Sequence, residues 1–203
     1  MVDANGGLPP TFMLRGARIG LAAVQSSSLE MFARWMSDLA VTRTLAAPKV
    51  PMTVERERTW LDAALQRAEP FFTIYRLDTM QPIGNTDLYN VDMVSLAAEF
   101  GIMIGERSAW GQGYATEATR LMMEYAFDVL GLEHLSLQVY APNVRAASAY
   151  QRAGFKEVGR LRGAKRIGRE RYDIIVMDAV PDDIPRSALH RMMQTGSLDD
   201  EQE

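Results

Sequence analysis

The sequence predicts a single α/β domain in which helices flank a mixed, largely antiparallel sheet. Short apolar segments at residues 71–77, 83–89 and 97–104 are joined by connections too short for crossover helices. We therefore expect them to form an antiparallel meander. An amphipathic helix then precedes residues 135–139, which alternate apolar and polar side chains as a strand does. A helix between two strands predicts that this strand lies parallel to the one before the helix.

The first part of the chain is predicted to contain one strand and two helices. Residues 1–10 form a Gly- and Pro-rich lead-in, and residues 17–24 a first strand. Serines at 26–28 signal a helix start. The predicted apolar face of this helix consists of Leu29, Phe32, Ala33 and Met36. Thr53 begins the second helix and Pro70 ends it. The residues of this helix predicted to point inward are Trp60, Leu61, Ala64 and Leu65.

The second part is predicted to contain two more helices and a hairpin. The apolar spacing predicts a helix over 114–130, with Gly131 as its left-handed stop. Asn143 caps a short helix that ends at Gly154. Residues 155–162 and 172–179 are predicted to form a closing hairpin. We assign residues 1–181 to one domain and residues 182–203 to a mostly flexible tail that contains one helical turn.

Composition limits the classes of function. The net charge of −4 argues against nucleic acid as a partner. The sequence contains no cysteine, which excludes disulfides, thiolate metal sites and a cysteine nucleophile, and fits a reducing cytosol. No apolar run is long enough to span a bilayer, and the N-terminus is too polar for a signal peptide. We therefore expect a soluble cytoplasmic protein without a membrane partner.

One stretch, residues 101–118, carries the strongest functional signal. A short apolar strand leads through a loop to Gly111 and Gly113 at the start of a helix. Free backbone N–H groups and the positive end of the helix dipole make such a start a site for phosphate. Glycine lets a diphosphate approach the backbone closely. The pattern therefore predicts a phosphate-binding turn, although a glycine pair before a helix is often only a turn.

A dinucleotide fingerprint is the first alternative for this turn. Residues 111–116 are one residue short of the Gly-x-Gly-x-x-Gly pattern. That pattern follows directly on a first strand and is matched by an acid at the end of the second strand. Here five residues separate the strand from the turn, and Glu133 lies before the next strand. The context argues against this alternative.

The second alternative is a resemblance carried by several linked blocks. Residues 110–118 (WGQGYATEA) resemble the acyl-CoA pyrophosphate loop of the GNAT N-acetyltransferases, in particular the RimJ/RimL branch that acetylates ribosomal-protein alanine. Residues 141–143 and 150–162 are similar to a second block of this branch, and 173–177 to its closing strand. Further similar segments occur upstream at residues 14–16, 35–38 and 83–84. The resemblance extends over roughly residues 12 to 180.

This resemblance implies a fold, an activity and a donor site. The fold is a mixed, mostly antiparallel sheet whose central parallel strands, here at residues 100–104 and 135–140, splay apart. The activity is transfer of acetyl from acetyl-CoA to a primary amine, by direct attack through a tetrahedral intermediate. The amine is a protein N-terminus or a small molecule. By resemblance the residues that bind coenzyme A are Ile102, Met103, Ile104, Gly111, Gln112, Gly113, Tyr114, Ala115, Thr116, Asn143 and Tyr150.

Catalytic roles also follow from the resemblance. Tyr150 is the expected general acid for the coenzyme A thiolate, and the N–H of Ile104 a candidate oxyanion donor. Asn143 and Tyr150 are seven residues apart, so two helical turns bring them to one side of the helix. Spacing alone favours a simpler interpretation, in which Asn143 is a helix cap and Tyr150 a half-buried amphipathic residue. Glu99 is the expected general base, and the alternates are Glu106 and Asp87. If Glu99 has no catalytic role, we expect it to be an exposed carboxylate at the end of a strand.

Other features indicate less. His134 and His190 are isolated in the sequence, so no metal site is expected. A basic hairpin on an acidic protein is either solvated or attracts an anion such as the coenzyme A 3′-phosphate. Its residues are Arg160, Arg162, Lys165, Arg166, Arg169 and Arg171. A non-catalytic acyl-CoA-binding regulatory module, and an RNA-associated protein that uses this hairpin, remain as alternatives. A homodimer is possible.

Overall fold

The computed structural model describes residues 10–47, 49–67 and 69–195, and one eight-stranded sheet runs through them. The strand order is β1-β2-β3-β4-β5-β6-β8-β7. The strands are β1 Phe12–Arg15, β2 Ile19–Ala23, β3 Phe71–Arg76, β4 Pro82–Asp92, β5 Ala97–Ile104, β6 His134–Tyr140, β7 Lys156–Ile167 and β8 Glu170–Ala179.

Helices cover both faces of this sheet. They are α1 Leu29–Ser37, α2 Leu39–Thr42, α3 Val54–Gln66, α4 Tyr114–Glu124, α5 Val144–Ala153 and α6 Ala188–Thr195. Neighbouring residues of β3 show the two faces, because side chains alternate along a strand. The Phe71 ring contacts Trp60 of α3, with 5.3 Å between ring centroids, whereas the Phe72 ring contacts Tyr125 just beyond α4, at 5.7 Å. Thus α3 covers one face of the sheet and α4 the other.

The strands β5 and β6 are parallel, but they pair over a short length only. The paired residues are Ala97 with His134, Ala98 with Leu135, and Glu99 with Ser136. Beyond these pairs β5 continues to Ile104 beside β4, and β6 continues to Tyr140 beside β8. The two strands therefore diverge into a cleft, as the resemblance implied, and the predicted mixed sheet is confirmed.

Two predictions at the N-terminal end need correction. The sequence interpretation missed β1, a strand of four residues that pairs with β2 and whose Phe12 ring fills the place of a side chain at Gly20. In α3, Trp60 and Leu65 were predicted to point inward, yet they are 46% and 54% exposed. The buried stripe of α3 instead passes through Glu57, Leu61 and Ala64, and positions 60 and 65 lie at its two edges, where side chains stay partly exposed.

The predicted helix over 114–130 is not a continuous α-helix. The α-helix α4 ends at Glu124, and a π-helical turn follows from Tyr125 to Val129. The Leu130 N–H donates to the Tyr125 carbonyl at 3.1 Å, and this separation of five residues is typical of a π-helix. Gly131 ends the segment with a φ of +67°, as predicted.

The C-terminal segment forms more structure than the single turn expected from sequence. The helix α6 is eight residues long, and Leu189 lies against the core. The His190 Nδ1 lies 2.8 Å from the Asp128 carboxylate, next to the π-helical turn. The rest of the predicted tail, residues 196–203, lies outside the described residues. Within the described ranges, no helix is both long and apolar enough to cross a membrane.

Candidate active site

The glycine turn has the geometry that the sequence predicts. Gly111 and Gly113 adopt φ values of +74° and +85°, a left-handed region that side chains rarely occupy. Gly113 is the residue that caps the start of α4. A side chain at Gly111 would meet nothing within 4 Å, so the backbone here faces open space. The turn therefore exposes its main chain to an incoming ligand.

The donors of this turn are available for that ligand. The first helical hydrogen bond of α4 runs from the Glu117 N–H to the Gly113 carbonyl, at 3.2 Å. In the described part of the chain, the N–H groups of residues 112–116 donate to no carbonyl or side chain. The hydroxyl of Thr116 is buried and has no hydrogen-bond partner among the described residues. Amides at a helix start together with an orphaned hydroxyl fit the diphosphate of coenzyme A.

Arg18 holds this turn from behind. Its main-chain N–H and its Nε donate to the two carboxylate oxygens of Glu117, at 2.8 and 3.1 Å. Its guanidinium also donates to the Gln112 carbonyl at 2.9 Å and lies over the Tyr114 ring, 5.0 Å from the centroid. The turn is thereby tied to the loop between β1 and β2 before any ligand binds, which lowers the entropy cost of binding.

Trp110 ties the other side of the turn to the cleft. Its indole Nε1 donates to the Ile104 carbonyl at 2.7 Å. The guanidinium of Arg145, at the start of α5, lies 4.4 Å from the Trp110 ring centroid, and that of Arg107 lies 5.9 Å away. Two positive charges therefore stand beside the phosphate-binding turn.

The main chain of β5 offers its own donors to the cleft. The main-chain N–H of Leu88 donates to the Pro70 carbonyl at 2.9 Å, so this N–H points away from β5. Its partner across β4 and β5 is Phe100, which by the antiparallel pattern must turn its N–H away from β4. The same alternation turns the N–H groups of Ile102 and Ile104 toward the cleft. The N–H of Met103 points to β4, so Met103 borders the cleft without donating its amide to it.

Tyr150 is buried on α5 next to the opening. Its ring makes edge contacts with Phe100 and Phe155, with centroids 6.1 and 6.2 Å apart. Burial raises the pKa of Tyr150, and the charges of Tyr89 and Asp87 raise it further. Those two residues lie on β4, so their electrostatic influence on the phenol acts across β5. The phenol stays protonated at neutral pH, as a general acid must.

Asn143 serves as the predicted helix cap. Its side-chain Oδ1 accepts from the Ala146 N–H at 3.4 Å at the start of α5. Its Nδ2 donates to the Thr44 hydroxyl at 3.1 Å. An amide nitrogen carries two hydrogens, so one donor remains for the pantetheine arm.

The candidate bases differ in their surroundings. The Glu99 carboxylate accepts a hydrogen bond from the Asn90 side chain at 2.8 Å. Glu106 pairs with Arg34 at 3.4 Å near the surface. Burial raises the pKa of Asp87 to about 6, with Glu69 raising it further and Arg67 lowering it. The pKa of Asp87 is thereby poised near neutrality.

A sequence profile decides the family. Residues 18–156 match the acetyltransferase (GNAT) domain, and this range is more than half of the 203 residues. The chain belongs to the GNAT acetyltransferase family. It is an acyl-CoA-dependent N-acetyltransferase, and the sequence prediction of this activity and of an acyl-CoA donor is confirmed.

Individual relatives agree with the family. The uncharacterised N-acetyltransferase p20 of Bacillus licheniformis is 24% identical over 160 residues, which cover 77% of this chain and 89% of that protein. The spermidine N-acetyltransferase of Vibrio cholerae, solved with CoA and spermine, has a TM-score of 0.74 at 21% identity, covering 83% and 98% of the two chains. The RimJ protein of Mycobacterium smegmatis, solved with CoA-disulfide, has a TM-score of 0.72 at 20% identity, covering 88% and 89%. At these identities the two solved structures show a shared fold.

Three residues beside the donor site of this acetyltransferase had no role in the sequence interpretation. They are Arg18, Trp110 and Arg145. Arg18 reaches the turn from the loop between β1 and β2, which is distant in sequence, so no local pattern could identify it. Trp110 lies next to the first glycine, and a large aromatic residue in an otherwise small and polar loop was the available signal.

His134 and the basic hairpin make contacts of their own. Among the described residues, no cluster of three or more His, Asp or Glu side chains could hold a metal ion. His134 lies 3.4 Å from the Asp178 carboxylate. On the basic hairpin, Arg160 pairs with Glu157 at 2.6 Å, and Arg171 donates to the Gly163 carbonyl at 3.1 Å. Part of the charge of the hairpin is therefore used within the hairpin.

Proposed function

We propose that this acetyltransferase lies on the RimJ/RimL branch and transfers acetyl from acetyl-CoA to a primary amine by direct attack, through a tetrahedral intermediate. The observation that carries the proposal is the divergence of β5 and β6 directly after Glu99. This divergence opens the sheet where Tyr150 lies on one side of β5 and the carboxyl groups of β4 and β5 on the other. An amine can then reach a thioester held in the gap.

The donor half is assigned to groups that lack protein partners. The N–H groups of residues 112–116 and the Thr116 hydroxyl would hold the diphosphate. The N–H groups of Phe100 and Ile102 face the cleft and would bond the pantetheine amides as a neighbouring strand does. The N–H of Ile104 remains the candidate for the oxyanion. Acetyl-CoA itself supplies the activated thioester.

The proton-transfer roles follow from burial and charge. Tyr150 holds its proton because burial raises its pKa, and it delivers that proton as the thiolate sulfur separates. The free thiol of coenzyme A has a pKa of roughly 8.5, so a positioned donor assists its departure. On the opposite side, Glu99 and Asp87 are the carboxyl groups available to an incoming amine.

The acceptor is proposed as a class. Two carboxyl groups and Tyr89 line the side of the cleft beneath α3, which favours an amine that enters as a cation. The solved relative from Vibrio cholerae is named for spermidine and was crystallised with spermine. Small polyamines and peptide N-termini are therefore both proposed acceptors. A cytoplasmic location and a homodimer stay predictions.

Release of free thiol from acetyl-CoA tests the proposal. The purified protein is incubated with acetyl-CoA and a panel of amines comprising spermidine, spermine, an aminoglycoside and peptides with N-terminal alanine. Isothermal titration with acetyl-CoA provides the binding control. Thiol release that depends on one of the amines supports the proposal. Tight binding of acetyl-CoA without any amine-dependent release would instead indicate the acyl-CoA-binding regulatory module.

A further inference from the structure

Asp87 lies where the cleft opens, directly beside a glycine. In the register of β4 and β5, Asp87 is the partner of Gly101. A side chain at Gly101 would collide with the Asp87 carboxylate, so the carboxylate occupies the space above the Gly101 Cα. Gly101 lies two residues beyond Glu99, the last residue of β5 that pairs with β6. The carboxylate therefore lies at the closed end of the cleft, where β5 and β6 begin to separate.

A small recess reaches Asp87 from the other side. Its walls come from the C-terminal half of α3, the loop after it, β3 and β4. The lining side chains include Trp60, Arg67, Glu69 and Phe71, with Asp87 among them. The recess has a volume of about 10 Å³, which is close to the minimum space for one water molecule. Trp60 is nearly half exposed, so the recess lies close to bulk water.

The geometry points to Asp87 as the catalytic residue that takes a proton from the acceptor amine and releases it to solvent through a water in this recess. This inference rests on the proposed acetyl transfer and specifies its base. A carboxylate with the cleft on one side and a water site on the other can accept a proton and pass it on without moving away. Such a relay is what repeated turnover requires.

The proton balance is simple. The substrate enters as an ammonium, and one N–H bond breaks as an O–H bond forms on the Asp87 carboxylate. The freed nitrogen lone pair then forms the C–N bond of the amide, and the C–S bond breaks. Tyr150 gives its proton to the sulfur and regains one from the nitrogen, directly or through water. The proton on Asp87 leaves through the recess, so each cycle yields amide, free thiol and one proton.

Glu99 is less suited to this role. Its carboxylate already accepts a hydrogen bond from Asn90, and it interacts with the Tyr89 hydroxyl. It also lies on the paired part of β5, opposite Ser136, where the strands have not yet separated. Asp87 instead faces the residue where the opening begins.

Electrostatics agrees with this geometry. The charged and titratable groups that face Asp87 are Glu69 and Arg67 at the recess, Tyr89 on β4 and Tyr150 on α5. Burial and Glu69 together outweigh Arg67 and bring the pKa of Asp87 to about 6. A carboxyl group with that pKa is ionised at pH 7, so it is able to accept a proton from the substrate ammonium.

The decisive experiment compares Asp87→Asn with Asp92→Asn. Asp92 is an exposed residue at the end of the same strand, where its carboxylate binds the following turn. For each variant, kcat for amine-dependent thiol release is measured between pH 5.5 and 9, and the Kd for acetyl-CoA by titration. We expect Asp87→Asn to lower kcat about 10²- to 10⁴-fold with an unchanged Kd. The wild type and Asp92→Asn should lose activity below about pH 6, whereas Asp87→Asn should lack this acid limb.

A second variant guards against misfolding of the first. Gly101→Ala keeps the Asp87 side chain but places a methyl group against its carboxylate. We expect a kcat at least about tenfold lower, with the Kd for acetyl-CoA within a factor of about three. If the wild type turns over and Asp87→Asn retains its kcat and its acid limb, the assignment of Asp87 is overturned. If the wild type binds acetyl-CoA but releases no thiol with any amine, the proposed function fails, and the role of Asp87 fails with it.

Discussion

The indole of Trp110 donates a hydrogen bond of 2.7 Å to the carbonyl of Ile104, and this bond joins the phosphate-binding turn to the last residue of β5. In the proposed binding mode, the turn holds the diphosphate of the donor and the strand holds its pantetheine arm. This hydrogen bond therefore contributes to the spacing between the two sites. Arg145, which lies over the same indole, links α5 to this junction.

Trp110→Phe should weaken binding of acetyl-CoA. The substitution keeps an aromatic ring for Arg145 but removes the hydrogen bond to Ile104, a loss of about 1 kcal/mol. We expect the Kd for acetyl-CoA to rise about fivefold, as measured by titration calorimetry. The matched control is Trp60→Phe on α3, far from the turn, which should leave this Kd unchanged. Equal Kd values for both variants and the wild type would contradict the role of Trp110.

Thr116→Val should affect only donors that carry a diphosphate. The buried Thr116 hydroxyl has no partner in the part of the chain that the structure describes, so its removal costs no hydrogen bond there. A lost bond to phosphate should raise the Kd for acetyl-CoA about tenfold, since bonds to charged groups contribute about 1.5–3 kcal/mol. S-acetyl-pantetheine, which lacks the diphosphate, should bind wild type and variant alike.

The control for this variant lies on the same helix. Thr119 donates its hydroxyl to the Ala115 carbonyl at 2.7 Å, so this hydroxyl is already bonded within the helix. Thr119→Val should leave the affinity for acetyl-CoA unchanged. A Thr116→Val variant that weakens acetyl-CoA and S-acetyl-pantetheine equally would show that the hydroxyl supports the fold and not the phosphate.

Tyr150→Phe should lower kcat without weakening the binding of acetyl-CoA. The phenylalanine ring keeps the edge contacts with Phe100 and Phe155, and only the acid is removed. We expect kcat to fall at least about tenfold, with little change in the Kd for acetyl-CoA. A thioester whose leaving thiol is far more acidic should reduce the difference, because its thiolate needs no proton. An unchanged kcat with acetyl-CoA would rule out Tyr150 as the acid.

Asp87→Asn should stabilise the folded protein at neutral pH while it impairs activity. An Asp carboxyl in the unfolded chain has a pKa of about 3.9, whereas burial brings the pKa of Asp87 to about 6 in the folded protein. Between these values the folded state binds more protons than the unfolded state. The free energy of unfolding therefore falls as pH rises from about 4 to about 6, and it stays reduced above that range.

Asparagine does not ionise, so the variant avoids this loss. We expect its free energy of unfolding to exceed that of the wild type by about 2–3 kcal/mol at pH 8, and the difference to vanish near pH 4. Urea denaturation at the two pH values measures it. An advantage of the same size at both pH values would mean that ionisation of Asp87 is not its cause.

The donor half of the site could be predicted because its groups are close together in the sequence. Six consecutive residues contain Gly111, Gly113 and Thr116, and local sequence pattern is enough to predict the start of a helix there. The acceptor half could not be predicted in the same way. Asp87 depends on its register with Gly101 and on a recess formed by α3, neither of which leaves a local pattern. Trp60 misled the prediction of α3, because an aromatic residue at the edge of a helical face is apolar without being buried.

The narrow junction between β5 and β6 divides the sheet into two halves of five and three strands, joined by three residue pairs. Tyr150 lies on α5, which connects β6 and β7 of the smaller half, and Asp87 belongs to the larger one. Any hinge movement at this seam would alter the spacing between the proton donor and the proton acceptor. Amide exchange at Ala98 and Leu135 would then report directly on whether the two halves open and close during turnover.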